Sequence, residues 1–417
     1  MFQFLYSQLV RLALPLIFLR LWWRGRRTPE LRRNWRHRLG LAPRLQGPVV
    51  WVHAVSVGET VAAGPMVRRL LERLPEASVL MTAMTATGLA QAKRMFGDQV
   101  TYAYAPYDTP GAVRRFLNRV QPRILVIMET EIWPNMIRQS RVRGVPVFLV
   151  NARLSERSAR GYERIRPLAL PVMRDISWVA AQADSDAERF RRIGVAPDRV
   201  DVTGSVKFDV DIPAGVREAA GQLRARFGDR PVWVAGSTHA GEESPVLAAH
   251  RRLLAAHPDA LLILVPRHPE RFDSVAGQVS DQGLSLARRS RNQDPAGAQV
   301  YLGDTMGELM MLYGASDMAF VGGSLVDRGG HNPLEPAAWG IPVFSGPHVF
   351  NFETIYQRLL DDAAVGMVSG AEDLARQLIA LCSDPDRRAA AGQRALRVVE
   401  KNRGALDKVV AGVVGRV

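Results

Sequence analysis

Polar side chains recur directly after apolar runs in this sequence, and several are of the types that activate or bind polar substrates. In the first half of the chain they are Glu59, Thr85, Asp108, Glu129, Asn151, Ser185 and Lys207. In the second half they are Ser237, Arg267, His268, Asp304 and Ser345, and Gly323 holds a corresponding position after an apolar run. A carboxylate in such a position can take a proton from a hydroxyl group, and a cation can bind phosphate or carboxylate.

A glycine-rich segment in the second half could bind an anion. Gly322-Gly323-Ser324 is followed by the run GGHNPLE at 329–335. Asn332 is a good N-cap and Pro333 a good first helical residue, and the glycines would let backbone N–H groups approach an anion at the positive helix end. We therefore predict that a monophosphate could bind here without a metal. A plain strand–loop–helix junction is the alternative.

Three segments have the spacing of a capping box, in which a glutamate bonds back to the start of its helix and no ligand is needed. They are Ser56–Glu59, Thr305–Glu308 and Asn332–Glu335. A capping glutamate can also turn its second oxygen toward a ligand hydroxyl, so both interpretations stay open.

Three other candidates have equally simple structural alternatives. Arg267 and His268 could bind an anion or lie in a solvated loop. Glu129 and Glu131 end an apolar run, and one of them could simply be the acid at a helix start. Lys207 could supply positive charge to a ligand or be an ordinary surface lysine.

Several chemistries lack support in the sequence. The single cysteine, Cys382, excludes a disulfide framework and a multi-cysteine metal site, and it favours a reducing compartment. No Walker A, convincing G-x-G-x-x-G, nucleophile-elbow or H-E-x-x-H motif is present. No D-x-D pair stands out as a metal–diphosphate clamp.

The net charge of +14 is concentrated at the N-terminus, where residues 1–44 contain ten arginines and one acid, Glu30. Met1–Trp23 is apolar apart from Arg11 and Arg20, and seven arginines follow within fifteen residues. We predict a membrane anchor, either one tilted span or a helix lying in the interface, with the following domains on the cytoplasmic side. An ordinary buried helix is a weaker alternative. The clustered charge and the absence of zinc-finger, RNP or basic-zipper patterns argue against nucleic acid.

The candidate residues must be positioned by two arrays of alternating apolar strands and amphipathic helices. Seven candidate strands lie between Val49 and Gly204, and six more lie between Val232 and Ser345. This alternation predicts an α/β protein with two doubly wound parallel sheets that face a central cleft. The expected divisions are an anchor and basic segment at 1–44, a first domain at 45–209, a linker at 210–230, a second domain at 231–400 and a C-terminal helix at 401–417.

Seven segments in this order resemble the Kdo (3-deoxy-D-manno-octulosonic acid) transferase family over essentially the whole chain. They are HAVSVGE at 53–59, ETEIWPN at 129–135, NARLSERS at 151–158, TGSVKFD at 203–209, AGSTHAGEE at 235–243, VPRHPERF at 265–272 and GGHNPLEPAAWGIPV at 329–343. The resemblance implies a GT-B architecture of two Rossmann-like domains, the first binding the acceptor and the second a CMP-sugar. It also implies inverting transfer of Kdo from CMP-Kdo to the lipid A precursor at the cytoplasmic face of the inner membrane, with no cofactor and no protein-bound metal.

The resemblance also implies roles for individual residues. Glu59 would be the general base, and Glu129 and Lys207 would support the transition state. Donor binding would fall on Arg267, His268, Met306, Gly307, Glu308, Asn332, Pro333, Leu334 and Glu335. Two other functions remain possible on the same features: a nucleotide-sugar epimerase or hydrolase with this two-domain plan, and a basic, membrane-tethered protein that binds nucleic acid or lipid without catalysis.

Overall fold

The computed structural model describes residues 2–26 and 33–417, and it divides into two compact units. The first unit extends to Asp209 and also includes Arg403–Val417, whereas the second is Val210–Asn402. Arg27 and Arg32 of the predicted basic segment lie outside the described residues.

The first unit contains a seven-stranded parallel sheet with the order β3-β2-β1-β4-β5-β6-β7. Its strands are β1 (Val49–His53), β2 (Ser78–Ala83), β3 (Thr101–Tyr104), β4 (Ile124–Met128), β5 (Val147–Ala152), β6 (Trp178–Ala181) and β7 (Val200–Val202). All seven predicted strands are confirmed. The central strands are apolar along their whole length because helices cover both faces of a parallel sheet.

Nine helices of the described residues surround this sheet, counting the one formed by the C-terminal residues. They are α1 (Phe2–Arg24), α2 (Val57–Arg73), α3 (Ala86–Phe96), α4 (Pro110–Val120), α5 (Pro134–Val142), α6 (Glu156–Arg164), α7 (Arg166–Asp175) and α8 (Asp184–Arg192), with α17 (Ala405–Val414) returning from the end of the chain. Ser56, Thr85 and Thr109 each follow a strand and cap the next helix, because their side-chain oxygens accept a bond from a first-turn N–H.

The second unit repeats the plan with the strand order β10-β11-β9-β8-β12-β13-β14, again all parallel. Its strands are β8 (Val232–Thr238), β9 (Leu261–Pro266), β10 (Leu286–Arg288), β11 (Val300–Leu302), β12 (Met318–Val321), β13 (Val343–Ser345) and β14 (Val365–Met367). Its helices are α9 (Ala214–Phe227), α10 (Glu243–Ala256), α11 (Phe272–Asp281), α12 (Leu309–Gly314), α13 (Leu334–Ala338), α14 (Glu353–Asp361), α15 (Ala371–Cys382) and α16 (Pro385–Lys401).

The expected linker at 210–230 differs from the structure. Helix α9 occupies most of it, and its apolar side chains Ala220, Leu223 and Phe227 are buried in the core of the second unit. The proline and glycine at the start of this segment favoured a linker, but the helix that follows has apolar residues three or four positions apart. Strand β14 was also missed, since it has only three residues and lies at the sheet edge.

Two arginine-rich helices were missed as well. Helices α6 and α7 lie between β5 and β6, where the sequence prediction left no element.

The carboxylate of Asp209 accepts hydrogen bonds from the N–H groups of Gly404 and Leu406 at 2.7 and 2.8 Å, which connects the first residues of α17 to the first unit.

Two glycines inside helices of the second unit give a test of packing. A Cβ at Gly392 in α16 would lie 1.9 Å from the carbonyl oxygen of Gly340, whereas nothing lies within 4 Å of a Cβ at Gly221 in α9. We predict that Gly392→Ala lowers the free energy of unfolding of this unit by about 1–3 kcal/mol because backbone must move. Gly221→Ala, the matched control, should raise it by about 0.4–1 kcal/mol. Urea titration measures both, and equal effects would contradict the packing at Gly392.

Candidate functional site

The strand order of each sheet reverses at one position, and Glu59, Glu129, His239 and His331 follow the strands on either side of it. In the first sheet the reversal falls between β1 and β4, and in the second between β8 and β12. Open parallel sheets bind ligands beyond the carboxyl ends of the strands at such a reversal, because the helices that follow the two strands lie on opposite faces and leave a gap. Glu59 follows β1 and Glu129 follows β4, so both belong to this edge of the first unit.

Glu59 lies in the first turn of α2 and is partly exposed. Its carboxylate accepts a bond from the N–H of Val55 at 2.8 Å and from the hydroxyl of Ser56 at 3.0 Å, while the Ser56 oxygen accepts a bond from its backbone N–H. The predicted reciprocal capping therefore exists. Burial raises the pKa of Glu59 to about 6 despite these two bonds, and the nearby charges of Glu131 and Glu129 raise it further. A carboxyl with that pKa can exchange a proton near neutral pH.

Glu129 and Lys207 come together at the same edge of the sheet. The ammonium of Lys207 lies 3.6 Å from one oxygen of Glu129, and the Arg153 guanidinium lies 3.1 Å from the other. Glu129 adopts a left-handed backbone with φ of 54°, which is uncommon for a residue with a side chain and costs about 1–3 kcal/mol. Lys207 is therefore not an ordinary surface lysine.

Asn151 fixes the turn that carries Lys207. Its Oδ1 accepts bonds from the Ser205 hydroxyl and the Val206 N–H, both at 3.2 Å. The side chain is fully buried, and among the described residues its Nδ2 has no hydrogen-bond partner. A buried donor without a partner is costly, so this side chain is held in place by the two bonds that its oxygen accepts.

Glu131 belongs to this carboxylate group but does not start a helix. Helix α5 begins at Pro134, because the residue before a proline disfavours helical backbone, so the alternative that Glu129 or Glu131 is simply the acid at a helix start is wrong. Burial raises the pKa of Glu131, whose carboxylate accepts a bond from the Trp133 indole at 2.9 Å. The ring of His53, buried at the end of β1, lies edge-on to Trp133 at 6.1 Å.

Two strand-end carboxylates bind backbone groups instead of facing a ligand. Asp108 accepts bonds from the N–H groups of Asn135 and Met136 and so caps α5. Asp304 accepts bonds from the Arg288 guanidinium and from both the N–H and hydroxyl of Ser290. Both are almost fully buried and stabilise the loops around them.

The glycine-rich turn of the second unit already holds an anion, namely the side chain of Glu242. This fully buried carboxylate accepts bonds from the N–H groups of Gly323, Ser324 and Leu325 at 2.6–3.0 Å, and a fourth from His239 at 2.9 Å. A Cβ at Gly322 would meet the Ser237 carbonyl oxygen at 2.6 Å, which explains why glycine is needed in this turn. The N–H groups of Gly323 and Ser324, which belong to the predicted anion-binding segment, are therefore bonded to Glu242 and do not face a phosphate.

Three histidines and one arginine lie close together beside this turn. Nε2 of His239 lies 2.9 Å from Nε2 of His331, and the two rings stack at 5.1 Å. His268 packs edge-on to His239 at 5.2 Å. Burial, followed by the charges of His239, Arg267 and His268, lowers the pKa of His331 to about 4. At neutral pH that ring is uncharged, and either ring nitrogen can donate or accept according to the tautomer.

Glu335 is the carboxylate of this cluster. Burial raises its pKa, whereas the Asn332 amide and the charge of Arg267 act in the opposite direction. The side-chain oxygen of Asn332 accepts a bond from the N–H of Leu334 at 3.1 Å, and its amide donates to Glu335 at 3.3 Å. Helix α13 begins at Leu334 with Pro333 as N-cap, so it starts one residue later than expected and has only five residues.

In the predicted loop Met306-Gly307-Glu308, only Glu308 has a bonding partner described here. Met306 is 60% exposed, and Gly307 has a φ of 84° with open space around it. Glu308 pairs with both Arg289 nitrogens at 2.8 and 3.0 Å and precedes α12 as its N-cap residue, so the predicted Thr305–Glu308 capping box is wrong. Its partner Arg289 comes from the loop after β10, which spacing along the chain could not indicate.

Sequence reasoning missed His239, Glu242 and His53 as site residues. The first two belong to AGSTHAGEE, whose first four residues are the end of β8, so position after a strand could have found them. Position along the chain does not show that β8 pairs with β12, and the role of Glu242 depends on that pairing.

We predict that Glu242→Gln lowers the free energy of unfolding of the second unit by at least about 2 kcal/mol. The glutamine amide group would face N–H donors and leave some of them buried without an acceptor. Glu372→Gln is the control, since that side chain is 80% exposed beside Arg252 and its loss should change stability by less than about 0.5 kcal/mol. Amide hydrogen exchange at 323–325 should accelerate in the first variant alone. Unchanged exchange would contradict the bonding of this turn to Glu242.

Comparison with known proteins agrees with this architecture. Among solved structures, the UDP-GlcNAc 2-epimerase of Neisseria meningitidis, bound to UDP-GlcNAc, has a TM-score of 0.57 at 14% identity. The alignment covers 88% of this chain and 100% of the epimerase chain. At this identity the likeness concerns the fold alone, which is a GT-B-like pair of parallel α/β sheets.

Sequence comparison is more specific. Residues 33–210 match the model of a protein family described as 3-deoxy-D-manno-octulosonic-acid transferase (kdotransferase). The 3-deoxy-D-manno-octulosonic acid transferases of Haemophilus influenzae and Bordetella pertussis are each 41% identical to this chain. The alignments cover 98% and 97% of this chain and 97% of each relative. The chain therefore belongs to the Kdo transferase family, the glycosyltransferases that transfer Kdo in lipopolysaccharide synthesis.

Proposed function

We propose that this protein transfers Kdo from CMP-Kdo to the lipid A precursor (lipid IVA), with inversion at the anomeric carbon, and that Glu59 is the general base. The observation that carries the proposal is the Glu59 carboxylate. It is partly exposed at the strand reversal of the first sheet, and its pKa is raised to about 6. Membership of the Kdo transferase family supplies the substrate class.

The reaction needs one base and no covalent intermediate. Glu59 takes the proton of an acceptor hydroxyl while that oxygen bonds to the anomeric carbon of Kdo and CMP leaves with the electrons of the broken C–O bond. Such a base contributes about 10²–10⁴-fold. Its two capping bonds fix the carboxylate, and each of its oxygens keeps a lone pair for the incoming proton.

Lys207 and Glu129 have a charge-balancing role in this proposal. The donor carries a carboxylate, and the Lys207 ammonium is a cation available to it at the same sheet edge as Glu59. Glu129 orients that ammonium through their ion pair, and Asn151 orients the turn that carries it. Fixed charges aimed at a developing charge are usually the largest contribution to catalysis.

The second unit is proposed to bind the CMP part of the donor through Arg267, His268, the 306–308 loop and Asn332–Glu335. A single phosphodiester carries one negative charge, so an arginine and neutral imidazole donors suffice, and we propose that the protein requires no metal. The uncharged rings of His239 and His331 fit this role because one of them can donate a hydrogen bond to a phosphate oxygen at neutral pH. The acceptor is a phosphorylated lipid, so we place the enzyme at the cytoplasmic face of the inner membrane.

The central test is Glu59→Gln. We expect the variant to fold, to cap α2 and to bind CMP, but to lose at least about 100-fold in transfer, because an amide cannot accept the proton. The assay incubates purified protein with CMP-Kdo and lipid IVA and measures the product mass.

Glu72→Gln is the matched control, since Glu72 lies on the same helix and is exposed. It should transfer at the wild-type rate. Retained turnover in Glu59→Gln would refute the base assignment, and absence of a Kdo-bearing product from the wild type would refute the proposed reaction.

The pH dependence gives an independent test. The raised pKa of about 6 means that Glu59 is protonated, and inactive as a base, below pH 6. We therefore expect kcat/KM for the acceptor to fall about tenfold per pH unit below 6 and to be level above it. Glu131→Gln should keep the same slope, because Glu131 is not the base, but its midpoint should move to lower pH, since the charge of Glu131 raises the Glu59 pKa. A wild-type midpoint near the ordinary glutamate pKa would contradict the assignment.

A further inference from the structure

Helix α1 docks on the first unit through one polar and aromatic face. The Tyr6 hydroxyl donates to Asp108 at 2.9 Å, and the Ser7 hydroxyl, which is buried, is bonded to Asn135 at 3.0 Å. Three turns later the Phe18 ring packs edge-on to Tyr107 at 5.5 Å and to Trp35 at 5.8 Å. The helix also packs against α5 and α7.

These contacts determine how the helix lies. Tyr6 and Phe18 are twelve residues apart, which is about 18 Å along a helix axis. Both touch neighbouring residues of the unit, Asp108 and Tyr107. The helix therefore extends along the surface of the unit and does not project from it. A membrane span would bring the buried Asp108 and Asn135 to the depth of the hydrocarbon, where an unpaired polar group costs several kcal/mol.

The opposite face of α1 is a continuous apolar stripe. Its members recur every three or four residues and are 50–74% exposed: Leu5, Leu9, Leu12, Leu16, Leu19 and Trp23. Helix Phe2–Trp23 has a mean hydropathy of 1.5, so length and composition alone would also allow it to cross a membrane. A stripe of this kind, opposite a docked face, is typical of a helix that lies in a membrane interface.

The charges beside the stripe favour an anionic lipid surface as its partner. Arg11 and Arg20 are exposed on α1, and Arg33 and Arg36 are exposed shortly after it. The neighbouring helices α5 and α7 contain one acid, Asp175, which is paired with Arg138 at 3.0 Å. Basic residues next to buried apolar side chains bind anionic head groups at about 1 kcal/mol each.

We propose that α1 is an interfacial helix that stays bound to the first unit and inserts only its leucine stripe into an anionic bilayer, without crossing it. Asp108 then has two roles, since it accepts a bond from Tyr6 of α1 and also caps α5. The segment Glu129–Trp133 immediately precedes α5, so one buried carboxylate connects the lipid-facing helix to the candidate catalytic segment. This holds that edge of the first sheet at a fixed height above the bilayer.

The inference deepens the membrane location in the proposed function, but its test measures depth and needs no turnover. Single cysteines are placed at Leu5, Leu9, Leu12, Leu16 and Leu19 in a Cys382→Ser background and spin-labelled. The full chain is bound to vesicles of phosphatidylethanolamine with phosphatidylglycerol as the minor component. Collision with oxygen and with a water-soluble nickel chelate gives the depth of each label. A label at Leu360→Cys, an exposed position on α14, serves as the reference for a site away from α1.

We expect the five labels to lie at one shallow depth, within about 5 Å of each other. In a spanning helix the labels at 5 and 19 would be separated by about 21 Å along the axis, with the deepest label between them. That graded pattern would overturn the proposal, and so would five labels as water-exposed as the reference.

Substitution on the stripe gives a second measurement. Leu12→Glu and Leu16→Glu should each lower vesicle binding by about tenfold or more in flotation, because a buried leucine is replaced by a charge of the wrong sign. Leu360→Glu, the matched control, should bind like the wild type. Vesicle binding that is unchanged in both stripe variants would contradict insertion of the stripe, whatever the outcome of the Kdo transfer assay.

Discussion

Parallel pairing of β1 with β4 and of β8 with β12 brings together the groups at the centre of each candidate site. Each pairing joins strands that are not consecutive, so the chain reverses its winding there and the loops after the two strands diverge. In the first unit this brings the start of α2, with Glu59, beside the loop that carries Glu129. In the second it brings the His239 loop beside His331.

Burial changes the chemistry of the residues that meet at these two positions. Glu59 and Glu131 both have raised pKa values because burial and neighbouring carboxylates disfavour their ionised forms. The Lys207 and Arg153 cations lie on Glu129 instead, which keeps compensating charge next to the group without pairing Glu59 itself. In the second unit burial keeps His331 uncharged. The first unit thus has a proton acceptor, and the second has neutral donors with one arginine, which suits two different parts of a transfer reaction.

The internal anion Glu242 shows how a motif can be correctly located and wrongly interpreted. Glycines after a strand do let backbone N–H groups converge, as expected, but here a carboxylate of the same unit accepts all three. Glu242 thereby fixes this turn. The N–H of Gly330 bonds to the carbonyl oxygen of Gly323 and that of His331 to Gly322, so the position of His331 depends on the turn. The groups that remain for a phosphate are the side chains of the histidine cluster and Arg267, which lie beside this turn.

The sequence by itself determined the classes of structure and most of the candidate residues. Apolar runs separated by capped, amphipathic helices are local patterns, so thirteen of the fourteen strands in the described residues and the two sheets could be predicted. The positions of Glu59, Glu129 and Lys207 after strands or in their loops could be predicted for the same reason. The tertiary structure alone decided which strand ends are neighbours, because pairing of distant strands leaves no signal in local spacing. It therefore decided that Glu242 fills the glycine turn, that Glu308 turns to Arg289, and that α9 is part of the second core. It also decided how α1 lies on its own unit, because the bond from Tyr6 to the buried Asp108 holds the helix along the surface, and this contact supports the interfacial helix that we propose.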